Sequence, residues 1–222
     1  MSTGVCTVPL VPTVTKPRAS GRQRREAIES DVLRAVEKLI AEGHSYTELP
    51  VQRIAEEAGI ARSTFYVHFP DKAQLLIRLA DIATMDLFRA AEGWWQGDHR
   101  DGPEGVAATM ERMITGFREH DRVLLALVEL AGYEPEVAVY WQERVAAFIA
   151  VVRARLDELV LAGEVSPAID TASTAAVLTW MVERSVAQHV LENPDPAGDP
   201  EFAATLGRAI WLTTFGDSPT TR

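Results

Sequence analysis

One cysteine, Cys6, stands in the whole 222-residue sequence, so no disulfide can close within the chain. Long hydrophobic runs are missing too. The longest unbroken apolar stretch is the eight residues from Val145 to Val152, against the roughly 20 that a bilayer-spanning helix needs. No membrane partner is expected. The opening MSTGVCTVPLVPTVTK has no charged segment ahead of its apolar part and is broken by Pro9 and Pro12, which is not the pattern of a secretory signal. A cytoplasmic location is expected. Metal and enzyme constellations are also lacking. None of the histidines, His44, His68, His99, His120 and His189, follows a glutamate by three positions. There is no H-x-x-x-H, no C-x-x-C and no phosphate-binding glycine loop. Cys6 has no activating base beside it. No catalytic residue, metal ligand or cofactor is predicted, and the chain does not read as an enzyme.

Positive charge is in short supply, with a net charge of −10, which taken alone argues against nucleic acid. Its distribution argues the other way. Residues 1–80 carry 11 basic and 9 acidic side chains, whereas residues 81–222 carry 11 and 23. Lys16, Arg18, Arg22, Arg24 and Arg25 precede the first acid. A field this uneven suits a polyanion at one end and repels it from the rest.

What is present is helical periodicity. Residues 1–19 are rich in Pro, Thr and Val without a period and read as a disordered basic tail. Ser20 and Gln23 have capping-box spacing, and Ile28, Val32, Ala35, Val36, Leu39 and Ile40 follow at helical intervals. Gly43 closes that helix. Short helices are predicted over about 51–58 and 62–67, separated by Gly59 and ended by Pro70. Asp71 and Gln74 form a second capping box for a long helix to about Trp95, with Leu75, Leu76, Leu79, Ile82, Ala83 and Leu87 as its apolar stripe. Further helices are predicted over about 104–119, 122–131, 135–161, 171–192 and 200–215, with Asp199 as the cap of the last. No segment alternates like a strand. The fold class is all-α, with about nine helices; the resemblance drawn below implies an N-terminal three-helix helix-turn-helix DNA-binding domain followed by a helical-bundle ligand-binding and dimerisation domain. The expected division is 1–19 tail, 20–70 helix-turn-helix domain, 71–216 helical domain and 217–222 tail.

The stretch VQRIAEEAGIARSTFYVHF (51–69) carries the chemistry. Two helices crossing steeply need a small residue at the crossing, which is Ala55, and a turn residue that accepts positive φ, which is Gly59. Ile54, Ala58, Ile60 and Phe65 would pack between the helices. Arg62, Ser63, Thr64 and Tyr66 would then face outward, with donors suited to base edges and phosphates. Tyr66, His68 and Lys72 are predicted phosphate donors, and Arg24 and Arg25 would lie along the backbone or enter the minor groove.

GIARSTFYVHFPDKAQLL, with I-A-E-E-A before it, closely resembles the helix-turn-helix signature of TetR-family repressors. That resemblance implies a homodimer on a palindromic double-stranded DNA operator, with a ligand-binding domain behind. The chain departs from the family at Pro50, where Thr or Ser is frequent, and at Val67, where a polar or aromatic residue is common. Both departures predict a lost DNA contact. In the second half, M-V-E-R (181–184), NPDPAGDP (193–200) and RAIWLTTFG (208–216) are similar to the mycobacterial ethionamide-monooxygenase repressors. That subgroup implies an apolar channel for a hydrophobic small-molecule effector, lined here by Phe117, Trp141, Phe148, Thr179, Val182 and Trp211. Its amides on the helix carrying Thr179 and Val182 have no counterpart in this chain.

Two apolar faces are predicted on the helix over 171–192. One carries Ala175, Thr179, Val182, Val186 and Val190; the other carries Ala176, Trp180, Ala187 and Leu191. A helix apolar on two sides must bury both, so the second face needs a partner or a cavity. With Gly207, Trp211 and Phe215 from the last helix it would form a four-helix interface between two subunits, the alternative being a single large core. The favoured reading is a ligand-responsive repressor. The alternative is a constitutive dimeric DNA-binding regulator without a ligand cavity, and a third is a helical enzyme or carrier with a vestigial helix-turn-helix.

Overall fold

The structure, a computed structural model, describes residues 21–216 other than Asp98 and Arg100. The expected basic tail and its Ser20 cap lie outside those residues, as does the tail after Gly216. Among the described residues there are nine α-helices and no strand: α1 (Gly21–Ala41), α2 (Val51–Glu57), α3 (Arg62–His68), α4 (Lys72–Trp95), α5 (Gly102–Glu119), α6 (Asp121–Ala131), α7 (Pro135–Ala162), α8 (Thr171–Glu192) and α9 (Asp199–Phe215). A 3-10 turn at Pro196–Gly198 interrupts the expected loop before α9.

Local signals explain most boundaries. Gly43 and Gly59 adopt φ of +99° and +68°, where a side chain would be strained. The Asp71 carboxylate accepts from the Gln74 amide at 2.9 Å, the cap that starts α4. The start of α9 differs from expectation. Gly198, not Asp199, is its N-cap, and Asp199 is the first helical residue. Its carboxylate is diverted: Arg118 of α5 donates to both oxygens at 2.7 Å, and His189 of α8 sits 2.8 Å away. Tying three helices together there outweighs capping one of them.

Two apolar cores fill the molecule. The first joins Val32, Val36 and Leu39 of α1 to Ile54, Phe65, Leu75, Leu76 and Leu79, and continues into α6 through Val123, Leu124 and Leu127. Arg122 of α6 also donates to the Ile40 carbonyl at 2.8 Å, holding the end of α1. Packing therefore runs across residues 70 and 71 without a break. The second core joins α5, α7, α8 and α9 around Ile114, Leu156, Leu178 and Leu206. Gly207 belongs to it. A Cβ there would lie 2.7 Å from the Ala107 backbone nitrogen, so its lack of a side chain serves the crossing of α9 over α5 in the same chain, not a contact between subunits. Ile82, placed on the inward stripe of α4, is exposed instead.

Candidate nucleic-acid interface and ligand cavity

The helix-turn-helix geometry follows from small residues. Ala55 is buried where α2 meets α3, and the Ile60 amide donates to the Ala55 carbonyl at 3.0 Å across the Gly59 turn. Ile54 and Phe65 are fully buried, with Ala58 and Ile60 packed beside them. This fixes the rotation of α3. Arg62 and Ser63 are exposed, Thr64 is half-buried and Tyr66 is 43% exposed. The Arg62 guanidinium lies 5.6 Å from the Tyr66 ring centroid, making one cationic, aromatic edge. Val67 is 75% exposed, the barest large apolar side chain on α3. In the sequence Val67 marks only a missing polar contact.

Two predicted phosphate donors sit elsewhere. The His68 side chain is only 7% exposed, with Nδ1 3.6 Å from the Glu29 carboxylate of α1. It lies between helices because the buried Phe65 and Phe69 turn that side of α3 inward. Lys72 is half-buried. Its ammonium donates to the Tyr46 and Thr47 carbonyls at 2.7 and 3.0 Å and lies 5.0 Å from the Tyr46 ring centroid. Burial holds its pKa below the usual lysine value. Two of its three donors are thus committed within the protein, and one is left for an outside oxygen. Arg24 and Arg25 stand exposed on α1, inside the helix and not on an extended arm, and Arg25 pairs with Glu29 at 2.9 Å.

Between the two cores lies a cavity of about 110 Å³. Phe117, Trp141, Phe148, Thr179 and Val182 line it. Trp211 does not. It packs on Phe215 with ring centroids 4.4 Å apart, and Ile210, about 100° further round α9, faces the cavity in its place. Residues missed from the sequence include Thr84, Phe88, Ala91 and Trp95, which follow one face of α4 at helical spacing. Glu183, read there only as part of M-V-E-R, is the one charged residue of the lining. Burial pushes its carboxyl above the ordinary carboxylate range, while Arg184 and the Trp141 indole N–H pull it part of the way back.

Of the second apolar face on α8, Trp180 and Leu191 are exposed, with Val177 beside them. Ala187 is buried and lines the cavity. On α9 the exposed large apolar residue is Leu212, with Trp211 and Phe215 half-buried.

Residues 32–79, which hold this helix-turn-helix, match the sequence family "Bacterial regulatory proteins, tetR family", and residues 106–215 match "Transcriptional regulator EthR, C-terminal domain". The chain belongs to the TetR family. Within that family it is 27% identical to the HTH-type transcriptional regulator EthR of Mycolicibacterium smegmatis over 207 residues, covering 91% of this chain and 93% of the relative. Two solved structures share the TetR-type fold. A SmeT–triclosan complex aligns with a TM-score of 0.68 at 18% identity, over 88% of this chain and 96% of the other. The transcriptional regulator FadR from Bacillus subtilis, in complex with stearoyl-CoA, aligns at 0.66 and 18%, over 83% and 98%. The TetR match covers the outward residues of α3, and the EthR match covers most of the cavity wall.

Proposed function

We propose that this chain is a transcriptional repressor that binds a palindromic operator as a homodimer and answers to a hydrophobic small molecule. Residues 20–70 would carry the DNA contacts and residues 71–216 the ligand and the second subunit, all within the cytoplasm. The observation that carries the reading is the course of α4. Its first residue, Lys72, clasps the loop behind α1, and its second half, from Thr84 to Trp95, forms a wall of the cavity. At 1.5 Å per residue the helix is a rod of about 36 Å, so a molecule displacing one end moves the other.

Arg62, Ser63, Thr64 and Tyr66 would read the major groove, with Arg24, Arg25 and the free donor of Lys72 on phosphate. The exposed Val177, Trp180, Leu191 and Leu212 would pair with their copies across a two-fold axis as a four-helix interface. That pairing would set the two recognition helices one DNA turn apart, about 34–36 Å. Ligand would shift the population towards a spacing that does not fit, provided it binds that state better. The SmeT and FadR complexes lend support, since each holds its small molecule on this same fold. The cavity favours this reading over a constitutive regulator. The experiment is a gel shift on DNA flanking the reading frame, run with and without apolar compounds that raise the melting temperature. A shift relieved by such a compound supports the proposal. No DNA binding even at low salt refutes it.

A further inference from the structure

The cavity wall is apolar except for three threonines and Glu183. Each threonine is already engaged: Thr84, Thr109 and Thr179 donate to the carbonyls of Ala80, Gly105 and Ala175, at 2.7, 3.0 and 2.8 Å. Thr109 also accepts from Arg112 at 2.9 Å. The threonines keep acceptor lone pairs but no free proton, and Glu183 alone brings charge to the lining; among the described residues no ion pair includes it. Arg184 is exposed to solvent. Arg144 sits 4.9 Å from the Phe88 centroid without lining the cavity. Around this carboxylate the wall is aromatic. Trp141, Phe88 and Phe148 line the cavity with Glu183, and the Phe88 ring centroid lies 6.5 Å from that of Trp141 and 5.2 Å from that of Phe148.

A lone carboxylate among ring faces is complementary to an organic cation, which gains an ion pair on one side and quadrupole attraction on the other. We propose that the effector is a lipophilic amine: a protonated nitrogen held by Glu183 and the Trp141 and Phe148 rings, with its apolar body along the rest of the cavity. This rests on the reading of the cavity as a ligand site. The desolvation that raises the Glu183 carboxyl is relieved when a cation supplies the missing partner, so binding energy is concentrated at that one contact.

The test is a titration of three probes of equal chain length, dodecylamine, dodecanol and dodecanoate, each below its micellar concentration. Binding is followed by calorimetry in the wild-type protein and in Glu183→Gln, which keeps the side-chain volume. A charge-assisted contact predicts amine binding about tenfold tighter than alcohol in the wild type, with dodecanoate weakest. In Glu183→Gln the amine should fall to the level of the alcohol, and the alcohol should be unchanged. Equal binding of amine and alcohol to the wild type, or a preference for dodecanoate, overturns the amine assignment and leaves a plain apolar site. Failure of all three to bind overturns the ligand-site reading as well.

Discussion

Tyr46 and Lys72 hold each other's backbone. The lysine ammonium donates to the Tyr46 carbonyl at 2.7 Å, and the tyrosine hydroxyl donates to the Lys72 carbonyl at 2.6 Å. Burial pushes the Tyr46 phenol well above its ordinary value, so it stays a donor throughout the physiological range. Tyr46→Phe removes one bond of this clasp and leaves the lysine charge. It should cost about 1 kcal/mol of stability and leave the salt dependence of DNA binding unchanged. Lys72→Met should lower stability and also flatten the salt slope by about one. Chemical denaturation and gel shifts at several salt concentrations check both; an unchanged slope in Lys72→Met removes its phosphate role.

Val67 is 75% exposed on α3, and an apolar side chain on a recognition helix suits a thymine methyl. Operators selected from random duplexes by the wild type and by Val67→Ala should differ at one position of each half-site, with the thymine preference relaxed and about 1 kcal/mol of affinity lost there. Identical selections would mean that Val67 misses the bases.

Trp180→Glu puts a charge on the exposed face of α8. Sedimentation should then show a folded monomer in place of the dimer. Gly207→Val acts inside the chain, forcing the Ala107 backbone away, and should cost about 1–3 kcal/mol with no change in subunit number. A monomeric Gly207→Val of full stability would contradict this placement.

Asp199 is held below the ordinary carboxylate range first by Arg118 and then by His189. A depressed folded pKa stabilises the fold at any pH above the ordinary value of about 3.9 and loses that contribution as pH falls below it. Asp199→Asn should melt several degrees below the wild type at pH 7, and the gap should close below about pH 4. A gap constant down to pH 3 would deny the carboxylate this role.

Much of this was legible in order along the chain. Gly59, Ala55 and the Asp71–Gln74 pair state their local business within a few residues, and the helix periods state which faces are apolar. The helix-turn-helix emerged accordingly. What stayed hidden depends on partners far away in sequence. Nothing near Lys72 announces carbonyls 25 and 26 residues earlier, and nothing near Asp199 announces Arg118. The choice between Trp211 and Ile210 at the cavity turns on one step around a helix, finer than an apolar stripe resolves. Glu183 went unread because a charge beside Arg184 has the pattern of a solvated face.

The apolar seam from α1 through α4 into α6 leaves no slack between the end that would grip an operator and the end that would sense a molecule. A fragment severed after Pro70 would lose Leu75, Leu76 and Leu79 from the core that Val36, Leu39 and Phe65 share, and a hinge inserted there would disturb the same packing. Any signal must therefore travel as a tilt of the whole assembly, and a stiffer seam would transmit it better while being harder to switch.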